Sequence, residues 1–400
     1  MKPTTAVSKV TLRKGRDTRV KAGHPWVFSG EVYGVLPPEM DGQIIAVEDA
    51  TGRFLGQGLV NTKSNILVRL LTRQRETIDR EFFKSRLADA IAYRERFANL
   101  PQGPGAAYRL IHAEADGLPA MVVDKYGDFL SCQILSLGMA QRLPMFVELL
   151  AELVQPKGIY ERSDVLVRSL EGLPQATGVL YGEEPPEDLE IVEHGARFRV
   201  DLKTGQKTGF FLDQRLNRLR VRELAQGRVL NTFCYTGGFS IAAALGNATE
   251  VVSVDISPEA IALAEDNAKL NGVEDKSTFI AANAFDYLRE AEKAGEKFDV
   301  VILDPPAFTK NKESIPGAMR GYKEINLRAM RLLNPGGLLV SSSCSHHISP
   351  QMFVEVIADA AADTRKRLRQ IELRGPSPDH PVLPAAPETD YLKCFLAEVR

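Results

Sequence analysis

Apolar and polar positions alternate in short runs over residues 6–72, where VSKVTL, HPWVFSGEVYGV, GQIIAVEDATGRFLGQGLV and NILVRLL are separated by turn residues. Such runs predict strands, and their close spacing predicts a small barrel. Between Ile78 and Leu100 the period changes: Phe82, Phe83, Leu87, Ile91 and Phe97 recur at helical spacing, and Pro101 to Gly105 then break the chain. Beyond this linker helix, RLIHAEADGLPAMVVDKYGDFLSCQIL, a helix near Met139 to Val154 and a strand near Gly158 to Glu161 predict a compact α+β region. Asp116-Gly117 and Tyr126-Gly127-Asp128 mark its turns, and His112 and Glu114 read as polar residues that stabilise a loop.

The second half has a different rhythm. Gly227 to Ser257 reads as strand, tight glycine turn at Gly237-Gly238, helix from Phe239 to Leu245, and a second strand that ends at Asp255. Ser257 and Pro258 cap the next helix, in which Ala260, Ile261, Ala264 and Ala268 share a face, and Gly272 closes it. The strands STFIAA, FDVVILD and GGLLVSSSC follow, separated by helices near Ala284 to Ala291 and Gly321 to Leu333, and IELR and YLKCFLAEV read as a terminal antiparallel pair. Strand and helix in alternation predict a mostly parallel sheet covered on both faces. The expected class is α/β: a small β-barrel over 1–75, a linker helix and α+β domain over 76–186, and a Rossmann-like domain over 187–400.

Composition narrows the setting more than the fold. Four hundred residues exceed one ordinary core. No apolar run approaches membrane-spanning length and MKPTTAVSKVTLRKG has no apolar signal core, so the cytoplasm is the expected compartment and no membrane partner is expected. Cys132, Cys234, Cys344 and Cys394 are scattered without Cys-x-x-Cys pairing, which fits a reducing compartment and argues against a metal site. The net charge of −2 gives no global sign of nucleic-acid binding, but the distribution is uneven. Lys2, Lys9, Arg13, Lys14, Arg16, Arg19 and Lys21 face the single acid Asp17 within the first 30 residues, a basic arm able to neutralise phosphates, whereas Glu183 to Glu193 hold six acids and no base.

The candidate chemistry lies at strand ends, where open α/β sheets bind ligands. Asp255 can accept from both hydroxyls of a ribose, and Thr236 to Phe239 lack the Gly-x-Gly-x-x-Gly spacing of a pyrophosphate site. A nucleoside cofactor without a diphosphate fits better, with S-adenosylmethionine the common one. The candidate cofactor-binding residues are Phe233, Tyr235, Thr236, Gly237, Asp255, Ile256, Asn283, Ala284 and Asp304, joined by Gln206, Lys207 and Thr208 from GQKTGFFLDQR, a candidate anion cradle. Asp304-Pro305-Pro306 ends the fourth strand and Cys344 the fifth. Enzymes that methylate exocyclic amines of bases carry an aromatic directly after such prolines, but here that position is Ala307 and the aromatic is displaced to Phe308. A thiol with a nearby acid suits attack on C6 of a pyrimidine, which makes C5 nucleophilic, so Cys344 and Asp304 are the candidate catalytic pair.

The motifs NTFCYTGGFS, LDPPAFTKNK, RGYKEINLRAM and SSSCSHHIS, together with GQKTGFFLDQR, closely resemble the large-subunit rRNA cytosine-C5 methyltransferase family of RlmI type, and Gly23 to Gly30 resembles the opening of PUA domains fused to bacterial rRNA methyltransferases. The resemblance covers essentially the whole chain. It implies S-adenosylmethionine as cofactor, 5-methylcytosine in large-subunit rRNA or its precursor as product, Cys344 as nucleophile and Asp304 as partner of N3. It also implies an RNA-binding PUA-like domain, for which Arg13, Lys14, Arg16, Lys21 and Trp26 are the candidate contacts, and dimers are common in such proteins. Two departures stand out. Asn283 replaces the usual Asp of the third strand, so an amide oxygen is expected to meet the adenine amine, and no second cysteine follows Pro306, which leaves the base for product release unassigned. The readings from other classes are a base N-methyltransferase and an RNA-binding assembly factor without activity.

Overall fold

In the computed structural model, residues 9–309 and 311–400 are described; Lys2 of the basic arm and Lys310 of LDPPAFTKNK lie outside them. The chain forms two compact units. The first runs to Leu189 and includes Val200–Phe210 and Pro378–Thr389; the second comprises Glu190–Arg199, Phe211–Ser377 and Asp390–Arg400.

The first unit begins with β1 (Lys9–Thr11), α1 (Thr18–Lys21), β2 (Trp26–Phe28), β3 (Ile44–Glu48), β4 (Phe54–Val60) and β5 (Ile66–Thr72), in the sheet order β1-β3-β4-β5-β2. The edges approach each other through a bridge between Leu12 and Val32, which curls the sheet around Val10, Leu12, Val27, Ile45, Val60 and Val68. Asp79 then caps α2 (Arg80–Phe97) by accepting from the Phe82 amide. A second sheet follows, formed by β6 (Ala107–His112), β7 (Met121–Tyr126), β8 (Phe129–Ile134), β9 (Gly158–Ser163) and β10 (Ala176–Gly182) in the order β10-β9-β8-β7-β6. Helices α2, α3 (Leu137–Ala140) and α4 (Leu143–Val154) accompany it, and Phe83, Leu87, Phe146 and Leu150 are buried with its strands in one core.

The two returning segments are bonded into this unit through buried polar groups. Thr208 donates to Asp124, itself paired with Arg109, and Arg94 donates to the Asp379 carbonyl at 3.0 Å. The Asp379 carboxylate accepts from the Arg109 amide at 2.9 Å.

The second unit opens with the hairpin β11 (Glu190–Glu193) and β12 (Ala196–Arg199), followed by α5 (Arg215–Leu224). The rest is a doubly wound sheet: β13 (Gln226–Thr232), α6 (Gly238–Leu245), β14 (Asn247–Asp255), α7 (Pro258–Leu270), β15 (Ser277–Ala281), α8 (Ala284–Lys293), β16 (Phe298–Leu303), α9 (Ile315–Leu332), β17 (Leu333–Ser343), α10 (Pro350–Thr364), β18 (Leu368–Arg374) and β19 (Lys393–Val399). The order β15-β14-β13-β16-β17-β19-β18 is parallel except for β19, which runs antiparallel to both neighbours. The expected α/β class and antiparallel terminal pair are therefore present. The chain winds outward from β13 first through β14 and then through β16, so the ends of these central strands border the crevice where such sheets bind ligands.

One element differs from its sequence reading. Helix α9 begins at Ile315, with Pro316 in its first turn, six residues before Gly321. A Cβ at Gly321 would lie 3.1 Å from the Phe308 ring, so this glycine makes room for an aromatic against the helix. Among the described residues, no helix is long and apolar enough to cross a membrane.

Candidate active site

The turn after β13 is held in an uncommon conformation. Phe233 and Tyr235 have φ of 60° and 49°, and Gly237 has φ of 84°. Left-handed backbone at non-glycine residues is strained and persists only where the surroundings impose it. Here Asp255 imposes it: its Oδ2 accepts from the Tyr235 amide at 2.8 Å and its Oδ1 from the Ser257 amide at 3.0 Å. The Cys234 amide donates to the Val254 carbonyl at 3.0 Å, and buried Asn267 donates to the Thr236 carbonyl at 3.1 Å.

Gly237 is required by its own backbone and packing. A Cβ there would meet Ala264 at 3.2 Å, so the glycine serves the left-handed backbone and the packing of α7. A carboxylate has roughly four acceptor positions, so Asp255 retains capacity for vicinal hydroxyls. Ile256 beside it is 70% exposed, an apolar side chain at a strand end that offers its surface to a planar base. These residues fit a nucleoside cofactor.

Asn283 departs from expectation. Its Oδ1 caps α8, accepting from the Phe285 amide at 2.9 Å and the Asp286 amide at 3.4 Å. The cap needs an acceptor, so the oxygen expected to meet an adenine amine is committed to the helix and Nδ2 is the group left over. Ala284 begins that helix with its side chain buried.

The ends of β16 and β17 bring the candidate catalytic pair together: the Cys344 thiol points to the Pro305 carbonyl at 3.9 Å, next to Asp304. Cys344 is the one cysteine of the four that is not buried. Burial pushes the Cys132 and Cys394 thiols up to about 12 and raises that of Cys234 as well. A buried thiol with a raised pKa is a poor nucleophile.

Side chains from distant parts of the sequence hold this end. The Tyr322 hydroxyl lies 2.9 Å from both the Ser343 and Ser345 hydroxyls, bracketing Cys344. Gln214 donates from Nε2 to Asp304 Oδ1 at 2.9 Å, accepts at Oε1 from Asn217 at 2.6 Å, and Asn217 Oδ1 accepts from Arg374 Nε at 3.0 Å. Because a guanidinium only donates, Arg374 fixes the direction of both amides, and Gln214 can present only a donor to Asp304. Lys393, 1% exposed, donates to the Ser345 and Tyr391 carbonyls at 2.8 Å each. Neither Gln214 nor Lys393 was singled out by the sequence; Gln214 lies inside a motif that pointed to this region, whereas Lys393 carried no signal. Phe308, the displaced aromatic, packs between Phe285 and Tyr322 with centroid separations of 5.9 and 4.7 Å.

In the first unit, Gln206, Lys207 and Thr208 precede α5 but do not form an open cradle as a group. The Thr208 hydroxyl is buried between Asp124 and Tyr126 and fixes the loop to β7. Arg13, Lys14 and Arg16 are exposed around a turn at Gly15 and form no ion pair among the described residues, while Lys21 is paired with Asp17 and Asp49. The half-buried Trp26 donates its indole N–H to Glu114 at 2.9 Å, and Arg69 lies 5.6 Å from its ring centre.

An acidic residue anchoring a strained strand–helix turn, in a seven-stranded sheet with an antiparallel last strand, defines an S-adenosylmethionine-dependent methyltransferase; the model of that family matches residues 159–392, and the model of PUA-like domains matches residues 10–73. The ribosomal RNA large subunit methyltransferase I of Erwinia tasmaniensis is 43% identical over 397 residues, 98% of this chain and 99% of its own, and that of Photobacterium profundum is 44% identical over 398 residues, 98% and 100% of the two chains. The chain belongs to the ribosomal RNA large subunit methyltransferase I family. Among solved structures, a candidate methyltransferase complexed with SAH superposes with a TM-score of 0.85 at 26% identity, over 98% of this chain and 100% of its own. A candidate SAM-dependent methyltransferase from Streptococcus mutans gives 0.84 at 25%, with the same coverage.

Proposed function

We propose that this enzyme forms 5-methylcytosine in large-subunit ribosomal RNA through a covalent bond between Cys344 and C6 of the target base. The observation that carries the reading is the meeting of the least buried cysteine with the Asp304-Pro305 strand end, the thiol 3.9 Å from the Pro305 carbonyl. The names of the full-length relatives support the RNA class.

Bound S-adenosylmethionine would supply an electrophilic methyl group, with Asp255 and the turn at Phe233 to Gly237 holding its nucleoside. The Cys344 thiolate adds to C6 while the protonated Asp304 carboxyl group donates its proton to N3, giving an enamine whose electrons at C5 attack the methyl group. Departure of the C5 proton then restores the C5–C6 double bond and expels the thiolate. Gln214, fixed as a donor, holds one oxygen of Asp304 and orients its carboxyl group. Arg13, Lys14 and Arg16 act on phosphates rather than on bases.

The test supplies labelled methyl donor with naked rRNA and with assembled large subunits, and identifies the modified nucleoside. Labelled 5-methylcytidine is expected. Labelled N-methyladenosine or N-methylguanosine, or no transfer to either substrate, overturns the proposal.

A further inference from the structure

Lys393 opens β19 directly across the antiparallel pair from Ser343, the residue before Cys344. Its ammonium has three N–H groups, and those with partners bond the carbonyls of Ser345 and Tyr391. The first of these carbonyls belongs to the residue after Cys344, so the lysine holds the turn that carries the thiol from both sides of its sequence position. Among the described residues no carboxylate lies within ion-pairing distance of Nζ, and the side chain is buried. A buried ammonium without an ion-pair partner is costly, and two carbonyls offset that cost only in part.

We propose that the Lys393 ammonium is the resident counter-ion of the Cys344 thiolate, a positioning residue that sets the ionisation of the thiol from beneath the Ser343–Ser345 turn. The electrostatics agree in direction: burial brings Lys393 down to about 8, while the negative charges of Asp390 and Cys344 oppose that fall. Such coupling is reciprocal, so a thiolate that strengthens proton binding at the lysine is itself favoured by the same factor. The titratable groups packed around the pair are Asp390 from the approach to β19, His346 of the turn against the Tyr391 ring, Tyr322 from α9, and Asp304 beside the Pro305 carbonyl that the thiol meets. Burial raises Tyr322, which stays neutral at moderate pH and supplies no counter-charge. The cation is therefore what makes a reactive thiol at this place chemically reasonable.

Only the catalytic meaning of the pair rests on the reading of Cys344 as nucleophile; the ionisation can be measured without it. The rate of iodoacetamide alkylation at Cys344 is followed by mass spectrometry as a function of pH in the full-length protein. In wild type the midpoint is expected below the ordinary thiol value of about 8.5. In Lys393→Met it moves upward by about one unit, with alkylation at neutral pH slowed about tenfold, and Lys393→Arg recovers most of the rate. Affinity for S-adenosylmethionine, measured in parallel, stays within about twofold in both variants, which separates a change at the thiol from general damage.

A wild-type midpoint at or above about 8.5 overturns the proposal even if the methionine variant does not fold. A folded Lys393→Met with an unshifted midpoint overturns it as well. If the shift is present but no adduct forms with RNA carrying 5-fluorocytosine at the target, the ion pair stands and the proposed reaction falls.

Discussion

The turn after β13 and the turn after β17 border the same sheet but are built in opposite ways. The first is local: Asp255 reaches back 20 residues to the Tyr235 amide, and every other anchor is backbone or a neighbouring helix. At the second, Cys344 is framed by Tyr322 from α9, Lys393 from β19 and a relay from Arg374 through Asn217 and Gln214 to Asp304. The proposed cofactor end is thus specified by a continuous stretch, and the proposed reactive end by side chains that meet only after the sheet has closed. It follows that damage at the first end should appear in binding and damage at the second in turnover.

The largest effect tests the reactive end. Cys344→Ala should lower turnover at least about a thousandfold and give no denaturation-resistant adduct with RNA containing 5-fluorocytosine, while Cys234→Ala retains the adduct. An adduct that persists in Cys344→Ala would move the nucleophile elsewhere.

Asp255→Ala breaks the other end. It should weaken S-adenosylmethionine binding by about 1–3 kcal/mol, because amides and hydroxyls lose their acceptor, with the fold retained at a lower melting temperature. Unaltered affinity in calorimetry would remove Asp255 from the cofactor site.

A finer cut lies in the relay. Gln214→Met removes the donor to Asp304 and should reduce kcat about tenfold while the affinity for cofactor is retained, the reverse of the Asp255 result. If cofactor binding falls and kcat does not, the two ends are not separable in this way.

The smallest effect on chemistry is expected outside both. Replacing Arg13, Lys14 and Arg16 with Ala should leave single-turnover chemistry on saturating RNA intact and flatten the logarithmic salt dependence of RNA binding by about two, as fewer counterions are released. An unchanged slope would assign these exposed cations to solvent.

This division also explains what could be read from the chain. The strand–turn–helix from Gly227 to Ser257, the Ser257 cap and the carboxylate at Asp255 follow from residues close in sequence, and all were legible. Asn283 was placed at the right strand end, but its oxygen is used by its own helix, a competition that a residue in a motif does not reveal. Lys393 stands in a run that resembles a half-exposed strand; its burial comes from neighbours on β17 and from the turn at Ser345, which no local period encodes. The start of α9 was missed because Gly317 and Gly321 weaken the helical signal that Pro316 and the capping region supply. Trp26 reads as an aromatic of an RNA-binding face, and only its Glu114 partner, distant in sequence, shows where its N–H is spent.

The two segments that return to the first unit impose an order on synthesis. Thr208 completes the partners of Asp124, and Asp379 those of the Arg109 amide and the Arg94 guanidinium, so these buried groups have no full set of partners when residue 189 leaves the ribosome. At about 5–20 residues per second, the last missing strand of chain, Pro378–Thr389, arrives roughly 10–40 s later. For that interval the nascent first unit carries one guanidinium N–H of Arg94 and the amide of Arg109 without the acceptors that Asp379 supplies, so its final consolidation falls at the end of translation rather than at its midpoint.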